Sequence, residues 1–501
     1  MVVRDLVAVR CTTTHWTPLE TLFKPTATGP SLADSMDEVR DMPKRSRKEI
    51  QKDKRVKNWE GLPPINKNAA GINVGNAEHH VAVPPGRDAE PVQKFGSFTA
   101  DLHRLARWLK ACGVETVAMQ ATGVYWVALY QVLEDYELQV NVVNAHHTKT
   151  LPGRKTDVLE CQWLQKLHTF GLLNNSFQPA EEIRVLRTYM RQREKLVAAA
   201  STCIQHMQKA LTEMNIQLAN VISDISGMTG IAILRAIVNG ERNPHALAGL
   251  KNERIHASRQ EIAQSLEGNW RPELLFVLEQ SLALYDTYHQ KIAECDQKIE
   301  AHLKTMESNE NAECQPTQVR IRRSHHKQTS WVDLHMHLHR IAGVDLTQID
   351  GINVQTAQTV VSEVGVDMTR WKSEKQFASW LGLCPDNRIS GGKVLKRGTR
   401  RVVNRAATAF RMAAWSLFRS QSALGANFRR LRRKLGAPKA VTAMAHKLAK
   451  LVYRMLKFGQ AYVDKGAEHY EAKYRQQTIK WLAKTAAALN LQLTPSPQLL
   501  E

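Results

Sequence analysis

The chain reads as an α/β domain followed by a mostly helical remainder, and three observations predict this. Between residues 70 and 143 short β-rich runs alternate with helical spacing. From about residue 180 apolar residues recur every three and four positions over long stretches. From Asn387 to Val463 there are 19 Lys or Arg and no Asp or Glu, so one segment carries nearly the whole net charge of +21. A solvated helix face mixes both signs; a surface of one sign this long points to phosphate as its partner.

The α/β pattern opens at Ala70. Ile72 and Val74 lie in a first strand, Val81 and Val83 in a second, and residues 92–97 in a third. Leu102, Leu105, Trp108 and Leu109 mark an amphipathic helix. Val114 to Met119 is a strand, Val124 to Leu133 a helix, and Leu138 to Val143 a strand. Strand, strand, strand, helix, strand, helix, strand is the order of an RNase H-like domain. Thr156–Leu172 supplies the helix that should follow.

A long helix is expected from Ala180 to Leu218. Ile183, Leu186, Met190, Val197, Ala200, Ile204, Met207, Leu211, Met214 and Leu218 form its seam, with Arg193 the one break. That is a coiled-coil pattern, or else a long helix packed within its own chain. A second runs from Pro272 to about Leu303, with Leu278, Leu282, Tyr285, Ile292, Cys295 and Ile299 as seam; the two could pair as a stalk and join protomers. The divisions are therefore 1–62, a basic extension of disordered composition; 63–175, the α/β domain; 176–305, the helical coiled-coil region; 306–333, a basic linker; 334–475, a mostly helical C-terminal domain; and 476–501, a tail. Residues 1–41 read as an added leader, because Met42 opens the basic segment that leads into the first strand.

At 501 residues the chain is too long for one core. No apolar run is long enough to span a bilayer. Seven scattered cysteines without a Cys-x-x-Cys pair fit free thiols in a reducing cytosol.

Four positions could build a two-metal centre. Asn73 and Gln120 lie at strand ends, and Asp157 and Glu160 share a helix face at i and i+3. Two Mg²⁺ ions can activate a nucleophile and stabilise a leaving oxygen, provided carboxylates neutralise them. Asn73 and Gln120 keep the shape of Asp and Glu without the charge, so the site offers −2 where four acids would offer −4. Alone, Asp157 and Glu160 are more often a solvated helix face; only the combination with Asn73 and Gln120 raises the site reading.

A second group is Arg388, Ser390, Gly391, Gly392 and Lys393. The glycines let backbone N–H groups approach a phosphate, and Arg388 and Lys393 could hold it beside the serine hydroxyl. A serine nucleophile needs a base or a metal, and no His is adjacent. Lys396, Arg397, Arg400, Arg401 and Arg405 continue the cationic run. In isolation Ser-Gly-Gly is also an ordinary turn. Third, Gly351-Ile352-Asn353 resembles a helix-hairpin-helix turn with Asn353 in place of its second glycine; Asn tolerates the left-handed region, so the turn is expected to persist. His335 and His339 share a face but lack the intervening Glu of a zinc motif. His79-His80 and His146-His147 are unspecific, and Arg320, Arg322, Arg323, His325, His326 and Lys327 make the linker basic.

These stretches together resemble insertion-sequence transposases of the IS-one-ten type. The resemblance runs from about Leu62 to Gln476. It rests on Ala70-Gly71-Ile72-Asn73-Val74, Ala118-Met119-Gln120-Ala121-Thr122-Gly123-Val124-Tyr125-Trp126, Leu151-Pro152-Gly153-Arg154-Lys155-Thr156-Asp157-Val158-Leu159, and Trp380-Leu381-Gly382-Leu383-Cys384-Pro385 with Ser390-Gly391-Gly392-Lys393. It implies a RuvC-like DEDD domain joined to a serine-bearing transposase domain. It implies a recombinase guided by a structured bridge RNA, acting on DNA as a dimer or tetramer in the bacterial cytoplasm near the nucleoid. The serine would attack DNA with help from a Mg²⁺-bound centre. The family's acidic sites fall on Asn73, Gln120, Asp157 and Glu160, and its nucleophile on Ser390. Only Asp157 keeps the family residue. Two further readings follow: a nucleic-acid-binding derivative without catalysis, and a junction resolvase in which the N-terminal domain cuts alone.

Overall fold

The structure is a computed structural model that describes residues 63–121, 123–145, 156–309, 331–400, 402–460, 462–464 and 466–492, with side chains from Leu334 in the segment that starts at 331. The 1–62 extension, most of the basic linker with Arg320 to Lys327, His146-His147, Leu151 to Lys155, Thr122, Arg401 and the end of the tail lie outside the described residues. The chain divides into two compact units, residues 1–177 and 178–501.

The first unit holds a five-stranded mixed sheet. Its strands are β1 (Ala69–Val74), β2 (Glu78–Ala82), β3 (Val92–Gly96), β4 (Thr116–Ala121) and β5 (Gln139–Asn144). Their spatial order is β3-β2-β1-β4-β5, with β1–β2 and β2–β3 antiparallel and β1–β4 and β4–β5 parallel. Helices α1 (Thr99–Ala111) and α2 (Trp126–Asp135) cover one face. There Ile72, Val74, Val81, Val117 and Met119 pack with Leu105, Leu109, Leu129 and Leu133. Period-two alternation sends Gly71, Asn73, Thr116 and Gln120 to the other face. Helix α3 (Asp157–Thr169) lies there, tied by His168 Nε2 to Thr116 Oγ1 at 2.9 Å.

Gly71 sets how close α3 comes. A Cβ at Gly71 would stand 2.3 Å from the Gln165 amide nitrogen and 2.4 Å from the Cys161 carbonyl oxygen. Only a residue without a side chain lets strand and helix backbones meet like this.

The second unit is mostly helical. Helix α4 (Glu181–Glu213) and helix α9 (Pro272–Thr305) pair lengthwise. Ile183 and Leu186 meet Ile299 and Leu303, while Met207, Leu211 and Met214 cluster with Leu278 and Leu282, so the two run antiparallel. The expected seam is thus filled inside one chain. Its break is explained too: Arg193 grips Asp296 of α9 with both Nε and Nη2. Between the long helices, α5 (Leu218–Val221), α6 (Met228–Val238), α7 (Pro244–Gly249) and α8 (Arg259–Ser265) pack around Ile233, Leu234 and Ile262.

The rest comprises α10 (Trp331–Ala342), α11 (Val354–Val364), α12 (Glu374–Trp380), hairpin strands β6 (Arg388–Ser390) and β7 (Lys393–Lys396), α13 (Arg405–Ser416), α14 (Ala423–Leu435), α15 (Ala437–Phe458) and α16 (Gly466–Ala488). Phe377, Phe410, Phe428 and Leu448 are fully buried there. No described helix is long and apolar enough to cross a membrane.

Candidate functional site

Strand ends and one helix start bring the first four positions together. Asn73 leaves β1, Gln120 leaves β4, and Asp157 and Glu160 occupy the first turn of α3; all line one cleft of about 550 Å³. Thr156 caps α3 by accepting from the Leu159 amide at 3.3 Å. Acids in a first helical turn are favoured by the positive end of the helix dipole, which holds Asp157 and Glu160 there without any ion. Gln120 is 4% exposed, the most enclosed of the four.

The cleft also holds Glu78 and His80. Asn73 lies opposite His80 in the β1–β2 register, and Glu78 sits two residues earlier on the same face, paired with Lys94. The sequence signal was the alternation of β2, which fixes His80 beside Asn73 once the register is known. His79 points to the opposite, apolar face, where burial depresses its pKa.

The decisive contact is between Asn73 and Asp157: the amide nitrogen donates to Asp157 Oδ1 at 3.0 Å. An aspartate at position 73 would put two anions at that separation and require a cation to reconcile them. The amide satisfies Asp157 by itself. Among the described residues, no group of three or more His, Cys, Asp or Glu side chains is placed to hold a metal ion. The four positions offer two carboxylates and two amides, one already hydrogen-bonded to a carboxylate, and the cleft's third acid, Glu78, is paired with Lys94; this set does not fit a two-ion centre.

The serine lies in the second unit. Ser390 pairs with Lys393 across β6 and β7, and Gly391 and Gly392 form the turn with φ of 52° and 75°. Two positive φ values in a two-residue loop make a type I′ turn, which glycine adopts freely. The hairpin is exposed from Arg388 to Lys396, and the Ser390 hydroxyl makes no hydrogen bond among the described residues. Arg388, Lys393, Lys396 and Arg397 likewise have no ion pair there.

Other cations of the acid-free run are already engaged. Arg405 pairs with Glu194 at 3.1 Å and approaches Glu363 at 3.9 Å, where Arg191 makes a two-pronged contact. Its guanidinium ties α13 to α4, a role that competes with the phosphate contact expected of it. Arg400 donates to the Ser379 carbonyl. Lys450 and Arg454 clasp Glu374.

The expectation for Asn353 is corrected. Its backbone is extended, with φ −91° and ψ 173°, and its side chain caps α11 by accepting from the Thr356 amide at 2.8 Å. Asn hydrogen-bonds a helix start more favourably than it enters the left-handed region. Gly351 packs against the carboxyl end of α13 near the Ala413 carbonyl. His335 faces Asp345 at 2.9 Å in a buried pair.

The first unit is thus a mixed α/β domain with a polar cleft at its strand ends, and the second a mostly helical domain carrying the basic run. Residues 70–216 match a family model described as a transposase of the DEDD, IS110 type, and residues 345–429 match that of the transposase IS116/IS110/IS902 family. Both matches support an IS110-type transposase, a family type that implies DNA binding. The DEDD domain type implies a divalent metal, usually Mg²⁺. No curated protein matches the chain.

Proposed function

We propose that the chain is a DNA-binding insertion-sequence transposase whose metal-dependent half-site is disabled. In this reading Ser390 holds the nucleophile position, and Asn73, Gln120, Asp157 and Glu160 hold the four metal positions. DNA and a structured guide RNA are its partners, bound by a homodimer or homotetramer in a bacterial cytoplasm. The observation that carries the reading is the Asn73–Asp157 hydrogen bond, which gives Asp157 a neutral partner where the family type needs a cation. Binding does not depend on that centre: the exposed hairpin carries four cations and a serine hydroxyl that have no ion pair or hydrogen bond among the described residues. Ser390 has no side-chain base bonded to it, so its deprotonation requires help from outside the hairpin.

The test is recombination in vitro with guide RNA, donor and target DNA and Mg²⁺. The unaltered chain should bind but yield no joined product. Asn73→Asp with Gln120→Glu should restore product, and adding Ser390→Ala should remove it again. Recombination by the unaltered chain, lost in Ser390→Ala, would overturn the proposal. It would favour a fully competent recombinase, for which the exposed serine is the supporting observation.

A further inference from the structure

Trp415, in the last turn of α13, and Phe418, in the 3-10 turn Leu417–Arg419 that follows it, are large aromatics that are each 44% exposed. Trp415 meets Phe428 of α14 edge-on, with ring centroids 6.5 Å apart. Four residues further along α14, the Arg432 guanidinium lies 4.3 Å from the centre of the Phe418 ring. Arg411 lies one turn before Trp415 on α13, at i−4, and Arg419 ends the short 3-10 turn Leu417–Arg419 that follows the helix. Neither has an ion pair among the described residues. Two acids lie close by and are engaged: Asp350 accepts from the Ser420 and Ser422 hydroxyls, and Asp464 from the Ala423 amide.

Exposed rings interleaved with unpaired arginines, within a run lacking acids, form a surface that a folded protein has no internal use for. Its charge complements a polyanion, and its ring faces complement unpaired bases. We infer that Trp415 and Phe418 form a stacking platform for single-stranded nucleic acid, with Arg411, Arg419 and Arg432 receiving its phosphates. The inference rests on the nucleic-acid-binding reading above. It adds a site for unpaired nucleotides, distinct from the Ser390 hairpin.

The test is fluorescence anisotropy with the full chain and three labelled probes: oligo-dT, oligo-U and a DNA duplex. Measurable duplex binding that weakens with salt is the control for the broader proposal; its absence would sink that proposal first. With it present, Trp415→Ala should weaken oligo-dT or oligo-U binding by roughly 5- to 150-fold, the range for losing one stacked base. Duplex binding and the log–log salt slope should stay unchanged, because no charge is removed. Trp415→Phe should restore most of the affinity, which separates stacking from misfolding. A stronger effect with oligo-U than with oligo-dT would assign the platform to RNA, and the reverse to DNA. Equal loss on duplex and single strand, no loss on either, or a Trp415→Ala defect confined to self-association in light scattering would each overturn the inference.

Discussion

Replacing Gly71 by alanine tests how the sheet positions the cleft. The new Cβ would lie 2.3 Å from the Gln165 nitrogen, against about 3.4 Å for ordinary contact, so α3 must retreat by roughly 1 Å. The opposing atoms are helix backbone and cannot rotate away. Overpacking of this kind costs about 1–3 kcal/mol. Alanine recovers about 0.5–1 kcal/mol through its lower backbone entropy. The clash is the larger effect, and a net loss of about 1 kcal/mol is expected, read as a lower urea midpoint with unchanged slope. The same retreat carries Asp157 away from Asn73. A variant as stable as the parent would refute the close strand–helix approach and the site geometry built on it.

Three other outcomes follow from the same structure. Asn73→Asp with Gln120→Glu should destabilise the metal-free chain. Two carboxylates 3.0 Å apart, the present Asn73–Asp157 separation, repel by about 1.4 kcal/mol in water and more near protein. Millimolar Mg²⁺ should restore the melting temperature of that variant only. His168, buried between α3 and β4, has its pKa pushed down to about 4 by burial. Its neutral form is favoured in the fold, so stability is full above the unfolded value of about 6.5 and falls as pH drops towards 4; about 2 kcal/mol should be lost by pH 5, and His168→Gln should flatten the profile. Neutralising Arg388, Lys393, Lys396 and Arg397 together should cut the log–log salt slope of duplex binding by about 3–4; an unchanged slope would remove the hairpin from the DNA surface.

The sheet was legible because each strand is short, β-rich and bounded, and because Gln120 and Asn73 end apolar runs. Both long helices were legible from their seams, and even the break at Arg193 marked a real feature, since its partner Asp296 sits on the other helix. What periodicity could not supply was partnership across the fold. Arg405 looks like any other cation of the acid-free run until Glu194 and Glu363 are brought beside it. His80 gains meaning only from the β1–β2 register. Asn353 could have served as a turn or a cap, and the start of α11 decided it. The pairing of Trp415 with Arg411 was present as helical spacing, but exposure is a property of the packed domain.

The account depends on Asp157 having an internal, uncharged partner in place of a bound cation. Isothermal titration of Mg²⁺ into the unaltered chain measures this directly. No saturable heat is expected at millimolar metal, and a saturable isotherm should emerge in Asn73→Asp with Gln120→Glu. Saturable binding by the unaltered chain, abolished by Asp157→Ala, would contradict it.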